Sequence, residues 1–227
     1  TITEKGYGLT GADGSYSPAV ANDLAAGPAK SSLFIPKLTA LVYERYRATV
    51  GPLALVSMDN CSHNGEKLAN AVKTVAREWK ERGFVDSGFL TYLDEQVSFP
   101  WSMIDKITPR PDEAVKRMLE ADGFEDSALI VTERHTYTAP FVNAEAPQYL
   151  VIEDDFPNGR PALEEAGVSF TDRDTVNKVE RMKVTTCLNP LHTALAIYGC
   201  LLSHTLISEE MRDGELKRLV ERIGYDE

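Results

Sequence analysis

The chain has 227 residues with 24 basic and 35 acidic side chains, which gives a formal net charge of −11. Hydrophobic residues make up 43% and charged residues 26%, as in ordinary globular proteins, so extensive disorder is excluded. A chain this acidic repels phosphate backbones and anionic lipids, so neither a nucleic-acid partner nor membrane binding is predicted. Three cysteines are too few for a disulfide framework and indicate free thiols in a reducing cytoplasm.

The first half of the chain predicts a helix, a strand and a second helix. Apolar residues in 32–49 recur at helical spacing, and an uncharged run of strand length follows at 53–58. Turn residues occupy 59–65, and a second amphipathic helix then continues to about Arg82, where Gly83 ends it.

The following segment repeats this order of elements. Asp112 is a suitable N-cap for a helix that ends near Gly123, and the apolar runs at 128–132 and 149–152 are further strand candidates. Strands that alternate with helices predict an α/β fold with a mostly parallel sheet covered on both faces.

The last fifth of the chain predicts only helices. No strand pattern occurs after about residue 174, and the apolar stripe of a terminal helix follows Ser208, which is a suitable N-cap. We therefore predict an α/β domain over 1–173 and the beginning of a helical domain over 174–227.

Two apparent motifs do not have the context that their chemistry needs. The glycines from Gly6 to Gly11 match the spacing of a dinucleotide fingerprint, but turn residues follow them where the fingerprint needs a helix. Cys61 and His63 lie near Asp59, but their spacing fits no tetrahedral zinc site. We therefore predict neither a phosphate loop at this position nor a metal centre.

Amide side chains collect at the carboxyl end of the first predicted strand. Asp59 and Asn60 follow the strand, and Asn64 lies in the same turn. Ligands of open parallel sheets bind at this edge, where amides can donate hydrogen bonds to a carbonyl or hydroxyl oxygen. Asn and Asp are equally typical of turns and helix caps, so the pattern alone leaves both interpretations open.

A second cluster lies where the α/β part passes into the helical part, and it contains Glu180, Lys183, Asn189 and His192. A lysine that enters an apolar segment loses solvation, which favours its neutral form and allows it to exchange a proton. Asn189 followed by proline is also an ordinary start of a helix, and the chemistry alone does not separate the two interpretations.

The chain resembles the long-chain mannitol dehydrogenase family in five segments that occur in the same order. The segment FPWSMIDKITP at 99–109 resembles the family signature F-P-x-S-M-V-D-R-I-x-P. The segment at 1–7 resembles T-x-T-E-x-G-Y, and the segment at 57–65 resembles S-C-D-N-x-x-x-N-G. The segment at 149–161 resembles W-V-I-E-D-x-F-P-x-G-R-P, and the segment at 180–192 resembles E-x-x-K with L-N-x-x-H.

The resemblance implies a metal-independent oxidoreductase that uses NAD or NADP. Members transfer a hydride between nicotinamide and a polyol or sugar acid, of the mannitol/fructose or mannonate/fructuronate type. They join a Rossmann-like domain to a largely helical domain, with the active site between them. The chain would then be an internal portion without the first glycine-loop unit, and its oligomeric state stays open.

By position, the resemblance also assigns the catalytic roles. Lys183 matches the general acid/base, and Asn189 matches one of two amides that polarise the reacting oxygen. The second amide is Asn60, with Asn64 as the alternative.

The supporting roles follow from the same resemblance. His192 matches a ligand of a substrate hydroxyl, and Glu180 matches a carboxylate that relays protons. Ile104 and Asp105 match residues that line the cofactor cleft, and Glu4 is a further candidate there. Independently of the resemblance, a chain with a net charge of −11 needs a local cation to bind the carboxylate of a sugar acid. The candidates are Arg110 and Arg160, and both are also typical of ordinary surface residues.

The spacing of the lysine and the second asparagine departs from the family. Lys183 and Asn189 are six positions apart, whereas the family pattern has five. One extra residue in an unbroken α-helix would rotate Lys183 by about 100° relative to Asn189. We therefore predict a break or bulge near Thr185 and Thr186, whose β-branched side chains weaken a regular helix.

The alternative to an enzyme is a non-catalytic binding or folding module of the same family. The pyrophosphate of a dinucleotide needs amides at a helix N-terminus, and no segment of residues 1–227 has the pattern that would supply them. We therefore expect this chain alone to bind NADH poorly and to be inactive by itself.

Overall fold

The computed structural model describes residues 4–104, 106, 109–133, 135–144 and 149–226. The α-helices in these ranges are α1 (Glu4–Tyr7), α2 (Pro18–Ala26), α3 (Phe34–Arg47), α4 (Asn64–Glu81), α5 (Ser87–Glu95), α6 (Glu113–Ala121), α7 (Arg173–Glu180), α8 (Asn189–Leu201), α9 (Ile207–Glu210) and α10 (Gly214–Tyr225). The strands are β1 (Leu53–Ala54), β2 (Val97–Ser98), β3 (Ser102–Ile104), β4 (Ile130–Val131), β5 (Tyr137–Thr138), β6 (Leu150–Glu153) and β7 (Ser169–Thr171). Short 3₁₀ helices cover Pro28–Lys30 and Leu163–Ala166, and a π-helix covers Arg181–Leu188.

Helix α4 lies at the centre of the main hydrophobic core. Its residues Leu68, Val72, Val75 and Trp79 recur every three or four positions, and all four are buried because α3 and α5 pack against this face. The predicted helices at 32–49 and from the turn to Arg82 are confirmed as α3 and α4, with the ends shifted by at most two residues.

The strands of the described residues form three small sheets. β1 pairs with β2 in parallel, and β6 pairs with β3 antiparallel and with β7 in parallel. β4 and β5 form an antiparallel hairpin whose Ile130 is 61% exposed. These pairings correct the predictions of a mostly parallel sheet and of a buried strand at 128–132, because an apolar run does not specify its pairing partner. The strand candidate at 149–152 is confirmed as β6.

A second, smaller core joins this mixed sheet to the helical part. Met103 of β3, Val151 of β6 and Val176 of α7 are buried together, because α7 lies against both strands. This packing places the end of α7 beside the end of β3, and it brings the two candidate clusters of the sequence into one region.

After β7 the described chain is helical, as the sequence predicts. The N-cap of the last helix is Asp213, whose carboxylate accepts hydrogen bonds from the backbone N–H groups of Glu215 (2.8 Å) and Leu216 (3.2 Å). The prediction of Ser208 as this cap is wrong, because Ser208 lies inside the short helix α9. Among the helices described, none is both long enough and apolar enough to span a membrane.

Gly65, the second residue of α4, gives a testable prediction about packing. A methyl group at this position would meet the carbonyl oxygens of Phe99 and Pro100 and the indole ring of Trp101. Since carbonyl groups cannot rotate away, Gly65→Ala should lower the free energy of unfolding by about 1–3 kcal/mol. The control is Gly214→Ala, whose methyl meets nothing within 4 Å. Urea denaturation of both variants tests this, and equal stabilities would contradict it.

Candidate active site

Segments that are far apart in the sequence enclose a cleft of about 1140 Å³. Its walls are the turn after β1, the chain after β3, the chain that includes and follows β5, and the junction of α7, the π-helix and α8. Four of the predicted site residues line it, namely Asn60, Ile104, Glu180 and Asn189. These four residues bring two amides, a carboxylate and an apolar side chain to the cleft.

Asn60 lies between residues that are held firmly in the turn. The preceding Asp59 is 8% exposed, and its carboxylate accepts hydrogen bonds from the Tyr7 hydroxyl and from the Cys61 backbone N–H at 2.9 Å. Burial and the hydrogen bond to Asp59 raise the pKa of the Tyr7 phenol well above its usual value. Asn60 itself is exposed, so its side chain remains accessible to a ligand.

Asn64, the alternative to Asn60, is buried and does not line the cleft. Its side-chain nitrogen donates to the Asp59 carbonyl (2.9 Å) and to the Ser102 hydroxyl (3.1 Å), and its side-chain oxygen accepts from the Ser102 backbone N–H (3.1 Å). These bonds join the turn to β3. Of the two asparagines, only Asn60 therefore presents its side chain to the cleft.

Two hydrogen bonds tie the same turn to α7. The Ser62 hydroxyl donates to the buried carboxylate of Glu180 at 3.0 Å. The His63 ring lies 3.1 Å from the side-chain oxygen of Asn177 and stacks on Trp101, with a centroid distance of 4.3 Å. Glu180 is thus held at the cleft by a residue of the turn that carries Asn60.

The predicted irregularity between Lys183 and Asn189 is confirmed as the π-helix Arg181–Leu188. The backbone N–H of Asn189 donates to the carbonyl five residues earlier, at Val184, and the Thr186 hydroxyl donates to the Arg181 carbonyl at 2.8 Å. A π-helix holds about one more residue per turn than an α-helix. Six residues therefore turn through about the same angle as five residues in an α-helix.

Besides Asn64, two further predicted catalytic residues do not line the cleft. Lys183 is exposed, and its ammonium nitrogen lies 3.3 Å from the centroid of the Tyr149 ring. His192 is also exposed, and its Nδ1 lies 2.9 Å from the Leu188 carbonyl oxygen. The expectation of a desolvated lysine is wrong for this chain, because no residue of the π-helix is buried. The buried residues of this helical segment, such as Leu195, begin only in α8.

The predicted cofactor residues are described only in part. Ile104, at the end of β3, lines the cleft. Asp105 lies outside the described residues, and so does the side chain of Glu4.

The two arginines that were expected to bind a substrate carboxylate do not line the cleft. Arg160 is held by Asp154 (2.8 Å) and Glu164 (2.6 Å) and does not line the cleft. Arg110 stacks on the ring of Tyr137, with its guanidinium carbon 4.7 Å from the centroid, and is likewise not part of the cleft wall.

The cleft instead contains two lysines that the sequence analysis did not select, Lys67 and Lys106. Lys67 lies in the first turn of α4, directly after the turn that carries Asn60. That position, beside the predicted ligand-binding edge of the sheet, is the signal that could have identified it. Lys106 stands in the family signature at a position where an arginine is usual.

Tyr7 gives a prediction about alkaline pH. Because its pKa is raised above the usual value of about 10, its stabilising effect is fully present below about pH 10 and is lost as the pH rises further. In a spectrophotometric titration, Tyr7→Phe should remove a tyrosine that ionises above the usual pH range. It should also make the unfolding free energy less dependent on pH above 10. Loss of an early-titrating tyrosine instead would contradict the buried contact with Asp59.

Comparisons with known proteins identify relatives of the chain. Residues 1–165 match the family model for the mannitol dehydrogenase Rossmann domain. The chain is 54% identical to D-mannonate oxidoreductase of Thermotoga maritima, and the alignment covers 100% of the chain and 42% of that relative.

Two solved structures are similar to the chain, and each alignment covers 98% of this chain and 42% of the other. One is D-sorbitol dehydrogenase in substrate-free form, with a TM-score of 0.78 and 27% identity. The other is Pseudomonas fluorescens mannitol 2-dehydrogenase in a ternary complex with NAD and D-mannitol, with a TM-score of 0.72 and 29% identity.

The chain thus spans about two fifths of the length of these relatives. The matched segment nevertheless covers most of this chain, and it confirms both the predicted family resemblance and the Rossmann-like α/β fold. The chain belongs to the mannitol dehydrogenase family.

Proposed function

We propose that the protein is an NAD- or NADP-dependent oxidoreductase that transfers a hydride between nicotinamide and a secondary alcohol or ketone of a polyol or sugar acid. The observation that supports this most is the position of Asn60, Glu180 and Asn189 on one cleft in a chain of this family. The names of its relatives agree with such a reaction, since one is a D-mannonate oxidoreductase and another was solved with NAD and D-mannitol.

The chemistry of the cleft fits the nicotinamide end of a dinucleotide beside a small polyhydroxylated substrate. Its volume of about 1140 Å³ is ample, since typical ligand pockets measure about 300–1,000 Å³. Ile104 offers an apolar surface for the ring, and we assign Glu4 and Asp105 to the same cofactor cleft. When bound, the nicotinamide supplies or accepts the hydride. We also propose that 1–173 form the later part of the nucleotide domain and that 174–227 begin the helical domain.

In the proposed mechanism, each side chain acts on the substrate oxygen or on its proton. During oxidation the neutral amine of Lys183 takes the hydroxyl proton and becomes an ammonium, and Asn60 and Asn189 donate N–H groups to the oxygen as negative charge develops on it. Glu180 relays the proton between the lysine and solvent. His192 hydrogen-bonds to a substrate hydroxyl. The amides are useful because donors that are already oriented need no rearrangement as the reaction proceeds.

The mechanism requires the Lys183 side chain to turn towards the cleft. Its neighbours Val184 and Thr185 already line the cleft, and lysine carries its charge on a flexible four-carbon chain. We interpret the contact of Lys183 with the Tyr149 ring as a resting position, which substrate binding exchanges for a position in the cleft.

A second candidate is a non-catalytic binding or folding module. The exposure of Lys183, Asn189 and His192 favours it, because charge stabilisation of a developing alkoxide works best where water is excluded. This candidate is a fragment of such an enzyme that is not catalytic by itself. Assaying the 227-residue chain alone beside the full-length protein tests it: activity of the full-length protein alone supports the fragment, and activity of the chain alone contradicts it.

Substrate class is tested by assaying the full-length protein with fructuronate and with fructose, each with NADH and NADPH. We expect higher kcat/KM for fructuronate, because Lys67 and Lys106 line the cleft and a sugar acid carries a carboxylate that needs a cation. Equal values for the two sugars would contradict the preference for a sugar acid. Absence of reduction with either sugar and either cofactor would contradict the proposed reaction.

A further inference from the structure

We infer that Tyr7 and Asp59 are positioning residues, which hold the Asn60 side chain where it can donate to the reacting oxygen. This inference rests on the role proposed above for Asn60, and it adds two residues that are both buried, Tyr7, which does not line the cleft, and Asp59, which does. Tyr7 is 6% exposed and is separated from Asp59 by fifty-two positions in the sequence. A contact across this separation fixes the turn to the first segment of the chain.

The buried Asp59 carboxylate accepts hydrogen bonds at both of its oxygens. A carboxylate removed from water is costly unless its oxygens accept hydrogen bonds. One oxygen of Asp59 accepts from the Tyr7 hydroxyl, and the other accepts from the Cys61 backbone N–H at 2.9 Å. These bonds fix the residue before Asn60 and the residue after it. The backbone of Asn60 is therefore held from both sides.

A network of buried polar side chains surrounds this carboxylate. The Tyr7 oxygen lies 2.9 Å from the Ser57 hydroxyl, and the Ser102 hydroxyl donates to the Ser57 carbonyl. Asn64 donates to the Asp59 carbonyl at 2.9 Å and bonds to Ser102. The side chains of these residues are all buried. The turn is thus tied to α1 on one side and to β3 on the other.

The network lies next to Asn60, the residue that is proposed to bind the reacting oxygen. Asp59 lines the cleft, but its carboxylate is already bonded to Tyr7 and Cys61. Asn60 has the exposed amide. The tyrosine and the aspartate therefore act through Asn60. The position of the Asn60 side chain matters because a displacement of about 1 Å can reduce turnover about 100-fold.

The test begins with Tyr7→Phe in the full-length protein, a change that removes only the hydroxyl group. We expect kcat to fall by about 10- to 100-fold, with the KM of the cofactor changed less than twofold. The matched control is Tyr16→Phe, because the Tyr16 hydroxyl donates to Glu78 at 3.0 Å and Tyr16 does not line the cleft. The control should keep the original kcat, and an equal loss in both variants would overturn the inference.

Two further measurements separate this inference from the proposed role of Asn60. Hydrogen exchange at the Cys61 amide should become faster in Tyr7→Phe, and unchanged exchange would overturn the positioning role whatever the activity. In a double-mutant cycle, Tyr7→Phe should cost little more once Asn60→Ala is present, and full additivity would overturn the claim that Tyr7 acts through Asn60. If Asn60→Ala alone leaves kcat unchanged, the proposed role of Asn60 fails, while the exchange result still decides whether Tyr7 holds the turn.

Variants of the aspartate give an independent comparison that does not depend on the tyrosine. Asp59→Asn keeps a side-chain oxygen that can accept from Cys61, whereas Asp59→Ala removes both acceptors. We expect Asp59→Asn to retain at least tenfold more kcat than Asp59→Ala. Equal activity of the two variants would contradict a positioning role for the acceptor.

Discussion

Lys183→Ala in the full-length protein should lower kcat by about 10²–10⁴, because the substrate hydroxyl then loses its general acid/base. The effect on cofactor affinity should be smaller, since the lysine acts on the substrate oxygen. A small external amine should restore part of the lost activity. The measurement is a steady-state assay of the variant beside the unchanged protein.

The matched control for this variant is Lys178→Ala, which removes an exposed lysine from α7 only five positions earlier. Lys178→Ala should keep the original turnover. If the two variants had the same kcat, the catalytic assignment of Lys183 would be wrong, and the six-residue spacing to Asn189 would mark a real departure from the family.

Asn189→Ala and Asn60→Ala should each lose about 2.7–4 kcal/mol of transition-state stabilisation, the loss typical of one oxyanion donor. This corresponds to a decrease of about 10²–10³ in kcat. Both side chains line the cleft, so truncation removes a donor without opening the protein core. Steady-state kinetics and urea denaturation of each variant separate the effect on catalysis from the effect on stability.

The control is Asn64→Ala in the same turn. Because the buried Asn64 amide bonds to Asp59 and Ser102, its loss should lower the free energy of unfolding, by about 1–3 kcal/mol for each partner left unsatisfied. A stable Asn64→Ala protein with lost turnover, together with an active Asn60→Ala protein, would reverse the assignment of the two asparagines.

The elements that the sequence predicts well are those with strong local patterns. Helix α4 follows from the spacing of Leu68, Val72, Val75 and Trp79, and α6 follows from the Asp112 cap, whose carboxylate accepts from the N–H of Ala114 at 2.7 Å. Such signals lie within a few consecutive residues, so they do not depend on tertiary contacts.

Strand pairing could not be predicted in the same way. The run at 128–132 is apolar enough for a buried strand, but Ile130 and Val131 pair only with β5 and remain exposed. Burial of a strand depends on what packs over it, and that information lies elsewhere in the chain.

The site was predictable in its residue types and less so in side-chain direction. Asn60 and Asn64 lie in one turn of the sequence, yet only one faces the cleft, because the other is used to bond the turn to β3. A break or bulge between Lys183 and Asn189 could be expected because the resemblance supplied a spacing to compare, but its form as a π-helix was not predicted. The exposure of Lys183 could not be predicted, since the sequence of an apolar helical segment does not show which of its faces is covered by other parts of the protein.

The most direct test of the proposed active site is a crystal structure of the full-length protein with NADH and mannonate, a pair that cannot react. The expected result places one secondary hydroxyl oxygen about 2.7–3.1 Å from the side-chain nitrogens of Asn60 and Asn189. Lys183 should then have left the Tyr149 ring, with its ammonium nitrogen within hydrogen-bond distance of the same oxygen. Mannonate bound away from both asparagines, with Lys183 still over Tyr149, would contradict the proposed site.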